Sequence, residues 1–312
     1  MKYNEWLDLW LNKYVKISIK YKTYDYYKRI INTHIKPILG EYDLNDLTIE
    51  VLQDFVIDKL KHGNLLTGKP LANSSVINVT KIVKQSINQA FLFNISNINN
   101  SSKIKLPTVT STKISAFEKQ EQEVIEKYCL NNTKSNYIGI IICLYTGIRI
   151  GELLALTWDD IDFENKFMSI SKTAYEIKQD NKLCIVVDTP KTKTSNRLIP
   201  LPNNIVKLLK HKQKQSTSKY VISTKSNKMV GTRSYQKTFE RILNKLNLPY
   251  KNFHSLRHTF ATRAIEFGMD IKTLSEILGH KNPSITLQRY THSLTAHKIE
   301  VMNKFGKLLV IR

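Results

Sequence analysis

Six side chains of this 312-residue sequence can do together what none does alone. Arg149 lies in TGIRIGELLAL (146–156) and Lys191 in PKTKTSNRLIPL (190–201). His254 and Arg257 open HSLRHTFATR (254–263), while His280 and Tyr290 lie in LSEILGHKNPSITLQRYTH (274–292). Guanidinium groups stay protonated and grip phosphate oxygens in pairs. A tyrosine hydroxyl, with a pKa near about 10, attacks at neutral pH only beside a base and inside a cationic pocket. A lysine on a mobile turn suits protonation of a departing sugar oxygen. The set fits phosphoryl transfer without a metal. The acid clusters of two-metal catalysis are missing: DDID (159–162) is the one dense acidic run, and it follows an exposed-loop pattern.

Each signal alone has a plainer reading. Arg149 and Glu152, three residues apart, can be a local ion pair. In the other reading Glu152 steadies a guanidinium whose remaining donors meet an anion. Lys191 and Lys193 can be solvated tips of a hairpin. Arg257 and His254 share a face of one turn at a helix start, where the macrodipole favours anions over cations. That placement calls for negative charge nearby.

Composition narrows the partners. Lys plus Arg number 48 against 26 for Asp plus Glu, a net charge of +22, which points to a polyanion and first to nucleic acid. A hydrophobic content of 41% is enough for packed cores and excludes a disordered chain. Cys129, Cys143 and Cys184 are far apart with no metal-ligand spacing, as expected for core thiols in a reducing compartment. Trp6 to Tyr14 is amphipathic rather than a signal peptide, and YIGIIICLYTGI (137–148) is too short to span a bilayer. A soluble, cytoplasmic protein with no membrane partner is expected.

The elements that must position these residues fall into two parts. Residues 1–100 read as all-helical: Trp6, Leu9, Trp10 and Tyr14 recur at helical spacing, as do Val76, Val79, Val83, Ile87 and Phe91. Turn residues in LGEYDL (39–44) and KHGNLLTGKPLANSS (61–75) separate the helices. Residues 101–114 lie in a polar stretch without period and are expected to be the linker. SAFE (115–118) has the form of a capping box opening a new helix. From 115 to 312 the pattern is mixed: strands at 167–172, 182–190 and 196–202 predict a small three-stranded antiparallel sheet. Helices follow at 203–215, 232–247 and from 255 onward. Gly279 should close one helix, with Asn282 capping the next and Pro283 in its first turn.

TGIRIGELLAL, PKTKTSNRLIPL, HSLRHTFAT and LGHKNPSITLQRYTH, in that order, resemble the four catalytic boxes of the tyrosine recombinases, the phage-integrase family, over residues 115–300. The resemblance implies a mainly α protein of two domains. A helical, SAM-like core-binding domain would be followed by an α-rich catalytic domain with the small antiparallel sheet. Residue by residue, Arg149 resembles the first catalytic arginine, supported by Glu152. Lys191, with Lys193 as its alternative, resembles the hairpin lysine that protonates the 5′ oxygen. His254 and Arg257 match the third box, His280 the phosphate-bonding position, and Tyr290 the nucleophile that forms a 3′-phosphotyrosyl link. His258 and His292 belong to the motif text and read as structural. No cofactor, metal or ATP is implied.

The resemblance further implies double-stranded DNA as partner and a homotetramer acting on two sites for integration or excision of a phage or conjugative element. An excisionase or DNA-bending accessory protein is a partner it allows, and nucleoid association follows from DNA binding. Ile299, Met302, Phe305 and Leu309 form an apolar stripe on a terminal helix, which either docks on a neighbouring protomer or packs on its own domain. On the first domain Lys22, Thr23, Ser75 and Lys81 are of the types that touch phosphates and base edges. The chain opens directly on the core-binding pattern, without the arm-site module of many integrases. That suits simple sites, or else a longer chain from which this one was trimmed. The competing readings are a Xer-type resolvase, a DNA-binding protein of the same fold without turnover, and a type IB topoisomerase acting as a monomer.

Overall fold

The computed structural model describes residues 1–64, 67–109, 115–132, 135–179, 182–188 and 196–280, with the single positions 282, 284 and 302. The chain divides into two units, Met1–Thr112 and Lys113–Arg312.

The first unit is helical because its aromatic and branched residues recur on one side of each segment. Helical turns over Tyr3–Leu9, Trp10–Val15 and Lys16–Ser18 follow one another, the middle stretch widened to a π-helix. They bury Tyr3, Trp6, Leu7, Trp10 and Leu11. Buried indole and phenol groups need partners. The Asn73–Leu92 helix supplies them: Trp6 Nε1 donates to the Ser86 carbonyl at 3.0 Å, and the Tyr3 hydroxyl lies 2.6 Å from Ser86 Oγ. The same helix buries Val76, Val79, Val83 and Ile87 as their spacing predicts, and leaves Phe91 exposed. Thr48 Oγ1 caps the Ile49–His62 helix by accepting from Val51 N–H. Of the expected linker, residues 101–109 lie along this unit. Ile104 is buried, Lys105 N–H donates to Gln53 Oε1 at 3.0 Å, and Asn73 Nδ2 to the Thr108 carbonyl at 2.8 Å. Residues 110–114 fall outside the described residues.

The second unit is built around the Ile138–Thr146 helix, apolar on every side and therefore central. The helix before it starts later than SAFE suggests. Lys119–Asn131 is capped by Glu118 in a reciprocal box with Glu121. The reason lies in Phe117: it is 1% exposed in the core and its N–H donates to Thr259 Oγ1 at 2.8 Å, which holds the chain outside the helix that Glu118 then caps. Phe117, Phe239, Phe253 and Tyr235 pack edge to face in a chain.

The strands pair differently from the sequence expectation. β1 (Ile161–Asp162), β2 (Phe167–Ile170) and β5 (Arg197–Pro200) form the three-stranded antiparallel sheet, with Met168 opposite Ile199 and Ile170 opposite Arg197. β4 (Lys182–Asp188) pairs instead with β3 (Thr173–Gln179) in a separate two-stranded sheet. The sequence reading passed over β3 because TAYEIKQ carries too many polar residues to stand out as half-buried. Helices Asn203–Lys214, Thr232–Lys245, His254–Glu266 and Ile271–Leu278 complete the unit. Cys129 and Cys143 are buried and free, as core thiols, and Cys184 is half-buried. Among the described residues no helix is long and apolar enough to cross a membrane.

Candidate active site

Arg149 is aimed by the turn before it. The Ile138–Thr146 helix ends at Gly147 in the left-handed region, φ +63°. A side chain there would meet Phe260 Cδ1 at 2.5 Å and Leu278 Cδ2 at 2.8 Å. Arg149 then caps the short Ile150–Ala155 helix. Glu152 accepts the Arg149 backbone N–H at 2.9 Å and its Nη1 at 2.8 Å. Arg149 Nη2 donates to the Gly279 carbonyl at 3.2 Å. The arginine side chain is 38% exposed while that of Glu152 is 4% exposed. A buried carboxylate thus holds a partly open guanidinium, which joins the ion-pair reading and the anchoring reading in one arrangement.

A residue the sequence reading passed over completes that anchor. Arg197, the first residue of β5, donates Nη2 to Glu152 Oε2 at 2.8 Å, Nη1 to Oε1 at 3.2 Å, and Nε to the Ile277 carbonyl at 2.6 Å. Its side chain is 6% exposed. The signal was present in the strand alternation: Arg197, Ile199 and Leu201 share a face, and the latter two are core residues. An arginine on a core face requires an anion. Burial works to raise the Glu152 pKa, but the hydrogen bonds and charge of Arg197, with Arg149 behind them, outweigh it and hold the carboxyl below the usual glutamate range.

Arg257 answers why cations stand at the start of the His254–Glu266 helix. It is 3% exposed, and its Nη1 and Nη2 donate to the carbonyls of Gly147 (2.9 Å) and Leu278 (2.7 Å). Both carbonyls sit at C-terminal ends of other helices, where the macrodipole is negative. Three successive carbonyls, those of Ile277, Leu278 and Gly279, are therefore each taken by a different arginine: Arg197, Arg257 and Arg149. Gly279 has φ +65°, and His280 N–H closes the helix end by donating to the Ser275 carbonyl at 3.0 Å. His254 begins the helix that carries Arg257, and its ring meets that of His258 edge-on at 5.0 Å.

Arg149, Glu152 and Arg257 are thus brought together at the helix end that leads into His280. Lys191, Lys193, Tyr290 and His292 lie outside the described residues, as do Ile299, Phe305 and Leu309 of the terminal stripe; Met302 is exposed. Asn282 Oδ1 accepts from Ser284 N–H at 2.9 Å, in keeping with a cap at Asn282. On the first unit Lys22 and Thr23 lie in the first turn of the Tyr21–Ile30 helix, and Ser75 in that of Asn73–Leu92, with Lys81 exposed further along it. DDID serves structure: Asp160 accepts from Thr157 and pairs with Lys172 at 2.8 Å, and Asp162 holds the turn at Asn165. Among the described residues no three His, Cys, Asp or Glu side chains form a group able to hold a metal ion.

The chain is similar to known proteins over nearly all of its length. Residues 115–297 match the model of the phage integrase family, and residues 2–60 that of the phage integrase N-terminal SAM-like domain. A XerC-like tyrosine recombinase of Caldanaerobacter subterraneus subsp. tengcongensis is 28% identical, over 96% of this chain and 82% of that protein. The integrase of Staphylococcus phage L54a is 29% identical over 97% of this chain and 92% of its own. In fold, the chain is similar to the Tn1549 transposon integrase solved with a circular intermediate DNA. The TM-score is 0.81 at 21% identity, covering 98% of this chain and 99% of that one.

Proposed function

This chain belongs to the phage integrase family, and from that premise we propose that Arg149 and Arg257 hold one DNA phosphate for attack by Tyr290. It is a tyrosine recombinase, an enzyme that breaks and rejoins DNA strands through a tyrosine, and its partner is double-stranded DNA. The observation that carries the site assignment is the common anchoring of the two guanidinium groups on adjacent carbonyls, Gly279 and Leu278. Two cations fixed on one short stretch of backbone suit a single tetrahedral anion, whose non-bridging oxygens each take charge-assisted bonds.

In this reading the Tyr290 oxygen attacks phosphorus as its proton passes to a base, in which His254 assists. The bond from phosphorus to the 5′ oxygen breaks, and Lys191, or Lys193 in its place, protonates that oxygen. A 3′-phosphotyrosyl link and a 5′ hydroxyl result. His280 hydrogen-bonds the phosphate. The phosphodiester energy is kept in the protein–DNA bond, so the 5′ hydroxyl of a second duplex can reverse the step and reseal the strands in exchanged form. The residue 1–100 domain binds the core site, joined through residues 101–114 to the catalytic domain, and Lys22, Thr23, Ser75 and Lys81 face the duplex. Four protomers act on two sites, linked by the apolar stripe of the terminal helix. A DNA-bending or excision factor sets direction. The biological role is integration and excision of a phage or conjugative element, in the nucleoid. The ten-residue spacing of His280 and Tyr290 and the PKTKTSNRLIPL box favour that role over a Xer-type resolvase.

The test begins with duplexes selected from a random-sequence pool by binding to the protein. A selected duplex nicked near the cleavage position should yield a denaturant-stable protein–DNA adduct that is lost in Tyr290→Phe. An adduct that persists in Tyr290→Phe moves the nucleophile elsewhere. Binding without any adduct, under these conditions, favours the DNA-binding reading.

A further inference from the structure

We propose that Arg197 is a positioning residue for strand cleavage, acting on the phosphate through Glu152 and Arg149; the inference rests on the site reading above. Three observations carry it. Arg197 meets both oxygens of Glu152, at 2.8 and 3.2 Å, so the carboxylate plane is fixed from one side while Arg149 takes Oε1 from the other at 2.8 Å. Its Nε holds the Ile277 carbonyl at 2.6 Å, two residues before the Gly279 carbonyl to which Arg149 donates. Its Nε, Nη1 and Nη2 all donate to Glu152 or the Ile277 carbonyl, so its effect on the phosphate is taken to pass through those partners.

The physical argument concerns orientation. Without Arg197, Glu152 keeps only Arg149 as partner, through the backbone N–H on Oε2 and Nη1 on Oε1, and the carboxylate that aims the guanidinium is held less tightly. A partly exposed arginine then samples several directions, and the phosphate meets the right one only part of the time. A planar fork is needed for this role, because a lysine supplies charge but cannot span two carboxylate oxygens and a carbonyl at once. Gly279 packs against the same side chain: a Cβ there would stand 3.1 Å from Arg197 Nη1, so the helix end and the arginine are fitted to each other.

The experiment measures single-turnover adduct formation on a nicked, selected duplex at saturating protein, with the dissociation constant for the intact duplex measured separately. Arg197→Ala is expected to slow adduct formation about 30-fold, a misplacement-sized loss, with duplex affinity within about twofold. Arg197→Lys should recover only part of the rate. The readout that separates positioning from general structural damage is the double-mutant cycle. In a Glu152→Gln background, Arg197→Ala should cost less than about threefold, because the path through the carboxylate is already cut. Full additivity of the two losses overturns the proposal, as does an unchanged rate in Arg197→Ala. If Arg197→Ala yields no folded protein, Arg197→Lys carries the test and a normal rate overturns the proposal. An unsubstituted protein that forms no adduct overturns the site reading itself, and that result precedes any Arg197 variant.

Discussion

Arg257 donates to the Gly147 carbonyl at 2.9 Å, and so ties the first turn of one helix to the last residue before the Ile148–Arg149 turn. The two arginines assigned to the phosphate are thus not independently mounted. The residue that carries one is bonded to the turn that aims the other.

Arg257→Lys tests that mount. The substitution keeps charge but cannot reach both carbonyls with one ammonium, leaving a buried acceptor short of a donor at a cost of about 1–3 kcal/mol. The urea midpoint should fall accordingly, and adduct formation should fall by at least about 100-fold, as expected for loss of a transition-state donor. A variant as stable and fast as the parent would mean that the observed bonds are incidental.

The two left-handed glycines should respond unequally to alanine. Both substitutions incur about 1–2 kcal/mol for a left-handed backbone. Gly147→Ala also drives a methyl into Phe260 and Leu278 at 2.5 and 2.8 Å, within the core, adding about 1–3 kcal/mol of overpacking. At Gly279 the contact is with the Arg197 side chain at 3.1 Å, which can shift. Denaturant midpoints should therefore rank Gly147→Ala well below Gly279→Ala. Gly279→Ala should lose more activity than its stability alone explains, read as single-turnover rate under fully folded conditions.

Acid sensitivity should run through Glu152. Its carboxyl is held below the usual range in the folded chain, so the unfolded chain binds the proton first as pH falls. The stability it contributes is complete above the unfolded carboxylate value, about 4.3, and is lost as pH drops through the lower folded value. Urea midpoints compared at pH 7 and pH 3.5 should fall less for Glu152→Gln than for the parent. Equal falls would assign the acid response to the other depressed carboxylates, such as Glu121 and Asp160.

The choice between Lys191 and Lys193 can be made chemically. Replacing the 5′-bridging oxygen by sulfur gives a leaving group that needs no proton. The lysine that acts as the acid should lose about 100-fold on the ordinary duplex when changed to alanine, and nearly nothing on the sulfur-bridged one. The other lysine should show the same modest effect on both.

Part of the candidate site is legible in the sequence, because its charged groups break local rules. Arg257 and His254 sit at a helix start that disfavours cations, and Arg149 follows directly on a buried helix. Such placements announce a partner. Arg197 broke a rule of a different kind, a charge on the core face of a strand, and was masked by the lysine-rich text around it. Strand pairing is far less legible. β4 was expected beside β5, but pairing depends on which strand lies nearest, and a polar strand such as β3 carries little period to mark it. The start of the Lys119–Asn131 helix was misplaced because Phe117 seeks the core, a tertiary pull that overrides a local capping pattern.

The three gripped carbonyls, 277 to 279, mount three guanidinium groups on one helix end. Unwinding or sliding that final helical turn would break bonds to three guanidinium groups at once. A residue at φ +65° stands at their end. The cationic cradle is thus only as steady as that single turn of backbone.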